Sequence, residues 1–300
     1  MTKTSTSTKS IASKWPSKLY KLLEKVGVVR YSGKKNVYGL HPLIISGLLI
    51  TITLILANIL RKIVKLILNE NIVRDILLEF IATAELCACC FELIIVADNY
   101  GVFAYAVFLF LLTVWWSSVW DTATACPYNP IEEVLEGARD IKKASMIIFS
   151  QVLGGLVIFQ YVQLIWSIEF AETHIGRAYE DCTADLTVPM AVGAAIEGFA
   201  TFFCRIMSRT LGETSLRYAS VFDAFFATSL VVAAFNYSGG YFNPALATSL
   251  KLGCEGNTFV EHMVVYWVGA TAGSVTSLYF YKLSFIQKLV DKVKTKEKEE

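Results

Sequence analysis

The chain has 300 residues, 55% of them hydrophobic and 18% charged, with 27 Lys or Arg, 26 Asp or Glu and a net charge of +1. A soluble domain of this length carries more charge and breaks its apolar stretches into short amphipathic pieces, so that class is excluded. Three histidines and no Cys/His pair at ligand spacing give no basis for a metal site, and nothing points to a cofactor or to nucleic acid.

In chain order, residues 1–42 come first as a basic tail. Lys3, Lys9, Lys14, Lys18, Lys21, Lys25, Arg30, Lys34 and Lys35 stand there against one acid, Glu24. Such a tail reads as solvated chain near an anionic membrane face. No cleavable signal peptide is expected, since the first apolar run begins only near Leu43. Seven hydrophobic segments follow: Leu43–Leu60, Ile76–Ala97, Val102–Trp120, Ala144–Ile168, Val188–Cys204, Ala219–Asn236 and Val260–Tyr281. About 20 helical residues cross a hydrocarbon core of roughly 30 Å, so these runs predict an all-α protein in a lipid bilayer. The first segment heads an extra hydrophobic helix over 43–70, and its placement stays open. If it spans, the basic tail lies on the non-cytosolic side, against the positive-inside bias. If it lies along the interface or folds as a hairpin, the tail stays cytosolic. Arg61, Lys62 and Lys65 at its far end fit either arrangement.

Two further stretches, after Ala125 and after Phe242, carry Pro inside apolar sequence and are too short to span. Irregular backbone at membrane depth is tolerated only where protein buries it or it lines a wet cavity. The last six segments divide into two similar halves. Glu79 precedes Cys126 by 47 residues and Glu197 precedes Asn243 by 46, each glutamate early in a helix of its half. Three spans per half is an odd number, which makes the halves an inverted repeat with a pore or binding site between the broken helices. Arg139, Lys142, Lys143, Arg205, Arg209 and Arg217 then fall on one side, the cytosolic one, while the acidic loop 169–187 falls opposite.

Asn243-Pro244-Ala245 has the chemistry of a short helix opening at mid-membrane. Proline suits the first helical position, where its missing N–H would go unpaired anyway. Asparagine before it caps the helix and offers amide hydrogens to a passing solute. The helix N-terminus adds roughly half a positive charge at that point. Two such ends meeting head to head orient water and repel cations and protons.

At these residues the sequence resembles the aquaporin family (major intrinsic proteins) over roughly 72–285, and most of all its unorthodox superaquaporin branch. The resemblance rests on Leu77-Leu78-Glu79-Phe80-Ile81-Ala82-Thr83 with Cys87, Cys89 and Cys90. It rests also on Phe242-Asn243-Pro244-Ala245-Leu246-Ala247 with Cys254, and on Val265-Tyr266-Trp267. It implies an aquaporin-like bundle of six transmembrane helices plus two re-entrant half-helices, forming a passive channel for water or small neutral solutes, usually a homotetramer with one pore per subunit. It gives Glu79 and Glu197 a structural role, accepting hydrogen bonds from the pore-turn backbones.

The first turn departs from the family pattern. Cys126-Pro127-Tyr128 aligns with the first Asn-Pro-Ala by spacing, and Asn129-Pro130-Ile131 is the rival frame. A thiol donates far more weakly than an amide, so in the first frame Asn243 is the pore's one amide donor. Where orthodox water channels carry Arg after the second turn, this chain has Leu246. With Val231, Gly240 and Ala106 it implies an apolar, uncharged constriction that tolerates glycerol or hydrogen peroxide, or that gates by dewetting. The rival reading packs Leu246 away from the pore. Glu85 and Glu92 share one helical face, where they either line the pore or a proton path, or, the favoured reading, Glu85 finds a buried donor and Glu92 reaches the interface.

Topology puts Cys182 and Cys254 on the same non-cytosolic side, where they form either a disulfide or two free thiols. Residues 286–300 form a charged cytosolic tail in which Lys296 and Lys298 resemble a dilysine retrieval signal, pointing to the endoplasmic reticulum or another intracellular membrane. A secondary transporter and a non-conducting protein derived from a channel are the rival functions. Enzyme activity has no support, there being no nucleophile–base pair, phosphate loop or metal cluster.

Overall fold

A computed structural model describes residues 36–214 and 216–297. The basic run within 1–35 and the terminal Lys298 lie outside these residues. Among the described residues the regular elements are helices, with one isolated bridge between Thr183 and Glu255.

Helix α1 spans Pro42–Ile67, with Pro42 at its first turn and the His41 ring accepting from Leu43 N. Helix α2 spans Ile72–Val119. Its 48 residues would extend about 72 Å if straight, more than twice the hydrocarbon thickness. It breaks at Gly101 (φ 81°, ψ 171°), a conformation that costs glycine little. The two arms fold back on each other, because Trp120 Nε1 donates to Glu85 across 2.8 Å although 35 residues separate them. The half-helix α3 is Tyr128–Leu135, and α4 is Ile141–Ser167, capped by the Asp140 carboxylate on Lys142 N. The second half repeats the pattern with α5 (Met190–Gly212), α6 (Ala219–Ser238), the half-helix α7 (Pro244–Lys251) and α8 (Phe259–Tyr281). Thr258 and Glu261 form a capping box at the start of α8, which is π-helical over Met263–Gly269. A last helix, α9, spans Ser284–Glu297.

Six of these helices are long and apolar enough to cross a membrane, and α2 folds back on itself as two arms. The expected segments are all present, α1 running seven residues past Leu60. α1 is one continuous helix rather than a hairpin. Its start lies beside the acidic loop, where Val37 N donates to Phe170 O (2.9 Å) and Glu172 N to Asn36 Oδ1 (2.9 Å). Its end lies at the opposite, basic face, where Lys65 pairs with Asp121. The ammonium holds the Asp121 carboxyl below its usual pKa.

Each half is drawn together by a close helix approach that only glycine permits. A Cβ on Gly154 of α4 would stand 2.6 Å from Phe80 O of α2, and a Cβ on Gly273 of α8 would collide with Gly198 O of α5. The same contact recurs in each half, as an inverted repeat requires.

Intramembrane carboxylates are costly unless paired, and each one finds donors. Glu85, buried, takes Arg61 of α1 as well as Trp120. Glu92 does not reach the interface. It is buried, accepting from Trp166 Nε1 (2.9 Å) and contacting His174 Nε2 at 3.0 Å, because the loop after α4 folds back over it.

Candidate functional site

The two irregular turns are built alike, atom for atom. Glu79 of α2 accepts from Thr124 N (3.0 Å) and Ala125 N (2.8 Å); Glu197 of α5 accepts from Tyr241 N (3.2 Å) and Phe242 N (2.7 Å). Ala125 (φ 51°) and Phe242 (φ 47°) both take the left-handed conformation that aims the next residue into a half-helix. That register makes Cys126 the counterpart of Asn243, Pro127 of Pro244 and Tyr128 of Ala245. Asn129 sits one residue inside α3 and is not the cap.

Each glutamate has a further support. Gln151 Nε2 donates to Glu79 (3.0 Å) and Ser238 Oγ to Glu197 (2.7 Å). Both carboxylates therefore satisfy loop N–H groups that no helix or sheet pairs.

Asn243 does two things at once. Its Oδ1 accepts from Ala245 N (3.0 Å) and Leu246 N (3.3 Å), capping α7, while its Nδ2 donates to Ala125 O across the interface of the halves (2.8 Å). An amide group carries two hydrogens, so one is left for another acceptor. Cys126 is buried, with its thiol against Tyr128, and offers no amide.

Val231 and Leu246 each pack against the main apolar core, as do Tyr105 and Tyr241. Gly240, buried at φ 66°, lies against Val231, since a Cβ there would stand 2.7 Å from Val231 O. On the second arm of α2 it is Tyr105 that packs against this core, beside half-buried Ala106. A one-residue shift along a helix turns the side chain by about 100°, and sequence spacing alone does not fix that angle.

Two features went unread in the sequence. On the basic face, buried Glu132 of α3 takes Arg205 Nε (2.9 Å), Arg209 and Ser274, and the Arg205 guanidinium lies 5.7 Å from the centre of the Tyr128 ring. Arg205 and Arg209, one turn apart on α5, were the available signal. On the acidic face, Asp185 takes the Tyr241 hydroxyl and the Lys251 ammonium (2.9 Å), and Lys251 Nζ also donates to Thr183 O (2.8 Å). Beside them Cys182 and Cys254 form a disulfide, with Cα atoms 4.9 Å apart. The loop before α5 is thereby tied to the end of α7, by a covalent bond, an ion pair and the bridge of Thr183 with Glu255.

No family model matches the chain. Curated relatives do. It is 28% identical over 248 residues to aquaporin-11 of Milnesium tardigradum, covering 82% of this chain and 90% of that protein. It is 28% identical over 210 residues to mouse aquaporin-12 (67% and 72%) and 22% identical over 239 residues to human aquaporin-11 (78% and 87%). Among solved structures, the aquaglyceroporin of Plasmodium falciparum superposes with a TM-score of 0.56 at 15% identity, over 74% of this chain and 99% of that one.

Proposed function

Because the chain belongs to the aquaporin family, in the superaquaporin branch with aquaporins 11 and 12, we propose that it passes water and small neutral solutes such as glycerol and hydrogen peroxide passively through an intracellular membrane. The coarser part, a multi-pass membrane channel rather than an enzyme, follows from family and fold. The observation that carries the finer part is the meeting of the two turns: Asn243 bonds across to Ala125 O and keeps one amide hydrogen to offer a solute. Two half-helix N-termini face that point and disfavour cations and protons. Cys126 supplies no matching amide, so solute orientation rests on Asn243 and the helix ends. Leu246, Val231, Gly240 and Tyr105 make a filter without a charge, which suits uncharged solutes larger than water. By the family pattern we take the assembly to be a homotetramer with one pore per subunit.

Stopped-flow light scattering on vesicles holding the purified protein tests this. Water and glycerol flux above empty vesicles is expected. Leu246→Arg should cut glycerol flux about tenfold, as ~1.4 kcal/mol of added barrier does, while water flux falls less. Flux equal to that of empty vesicles, from monodisperse protein, would favour the non-conducting alternative.

The intracellular placement rests on the resemblance of Lys296 and Lys298 to a dilysine retrieval signal. Replacing both by serine should move the protein from reticular membranes to the cell surface in fluorescence images. An unchanged pattern would remove that argument.

A further inference from the structure

The inverted repeat gives Asn129 a place of its own. Cys126 matches Asn243, so three residues on, Asn129 matches Leu246. Side chains one turn further along keep the same register. Glu132 of α3 takes Arg205 Nε (2.9 Å), eight residues after Glu197, and Ser274, next after Gly273. Its counterpart on α7 is Ser249. That hydroxyl meets the thiol of Cys87, eight residues after Glu79, and donates to Gly155 O (2.6 Å), next after Gly154. Asn129 and Leu246 therefore hold the same position on the two half-helices. Each is half-buried in a stretch where Cys126, Pro130, Ala245 and Ala247 are buried.

The two positions differ in chemistry. Leucine offers a solute an apolar surface on the acidic side of the turns, whereas asparagine offers a carboxamide on the basic side. The backbone N–H of Asn129 is used, donating to Cys126 O (3.2 Å). Its side chain is not: Oδ1 is buried with no donor among the described residues. An orphaned acceptor of this kind is uncommon in a folded protein, and it marks a place where a bound molecule completes the pairing. The terminal torsion of asparagine is broad, so its carbonyl and amide ends turn toward a solute at small cost.

We propose that Asn129 lines the basic half of the pore and binds the solute there, its carboxamide pairing with a hydroxyl of glycerol or hydrogen peroxide. The inference rests on the channel reading given above, and it names a polar contact in the half that Cys126 leaves without an amide. A solute then meets Asn243 at the turn, Asn129 on the basic side and an apolar Leu246 on the acidic side. Asn129 is thus a specificity-determining residue. Water that loses one partner in a file finds another in the next water. Glycerol carries its hydroxyls on a carbon chain and lacks that freedom, so the carboxamide governs the ratio of glycerol to water flux.

The test compares the full-length parent with Asn129→Ala and Asn129→Ser in vesicles, by stopped-flow light scattering with water and with glycerol. Both replacements are smaller than asparagine, and they differ from each other by one hydroxyl. A residue that only narrows the lumen would let both variants pass more glycerol. A hydrogen-bonding residue gives the opposite result. Asn129→Ala should lower glycerol flux roughly tenfold, the effect of one hydrogen bond left unmade, while water flux falls less. Asn129→Ser should keep most of the glycerol flux. Asn129→Leu, which copies the acidic half, should lower the glycerol-to-water ratio as alanine does, so it decides the matter if the alanine variant does not extract as monodisperse protein. Melting temperatures of all variants control for folding. Glycerol flux raised by alanine, or a ratio unchanged in every variant while the parent conducts, would overturn the role of Asn129 and leave the channel standing. A parent no faster than empty vesicles would overturn both.

Discussion

Glu197→Leu is expected to abolish both folded protein and flux. The wholly buried carboxylate accepts from Ser238 Oγ, Tyr241 N and Phe242 N, the donors that shape the turn before Asn243. Leucine leaves all three without an acceptor in a region that water does not supply freely. Each unpaired buried donor costs roughly 1–3 kcal/mol, together about 3–9. That is of the order of the whole stability of a typical domain, about 5–15 kcal/mol. Glu197→Gln keeps one carbonyl oxygen but turns an amide N–H₂ toward a donor, so a partial loss is expected. Monodisperse yield after detergent extraction and the melting temperature measure both. A leucine variant that melts within a few degrees of the parent, roughly 1 kcal/mol at this size, would show that the turn is held by something else.

The second large effect concerns the helix that the sequence left unplaced. Arg61→Met strands the Glu85 carboxylate inside the membrane-spanning region, with Trp120 Nε1 as its remaining donor. Breaking a buried pair by removing one partner costs about 3–5 kcal/mol, whereas replacing both by apolar residues is often neutral or stabilising. The single variant should therefore lose a large part of its thermal stability, and Arg61→Met with Glu85→Leu should recover most of it. A double variant that stays well below the parent would mean that the pair is net stabilising and that α1 is held by it. Recovery would mean that apolar packing holds α1 and the pair fixes its rotation.

The sequence made the architecture readable because lipid leaves few options. Every backbone polar group must be paired within the segment, so span length and Pro-bearing breaks disclose the bundle almost directly. Glu79 and Glu197 could be matched for the same reason, since a carboxylate in a span needs a partner worth its desolvation. The path of α1 was not readable. The charges at its end, Arg61 and Lys65, fit a surface helix as well as a spanning one, and their partners Glu85 and Asp121 lie elsewhere in the sequence. The burial of Glu92 depended on His174, in a loop whose fold no periodicity describes. The expected constriction of Val231, Gly240, Leu246 and Ala106 rests on spacing to Asn243, and the helix rotation that decides which side chain of the second arm of α2 faces inward is tertiary information.

The bond between Cys182 and Cys254 has a meaning in time as well as in space. It closes a ring of 72 residues that contains α5, α6 and α7, so it cannot form until the second half-helix has been made and has reached its depth. At roughly 5–20 residues per second of synthesis, Cys182 stands unpaired for about 4–14 s while its partner is still to come. During that interval the thiol is open to oxidoreductases and to wrong partners. Once closed, the bond seals the finished half. It is a covalent record that the last pore element arrived in place.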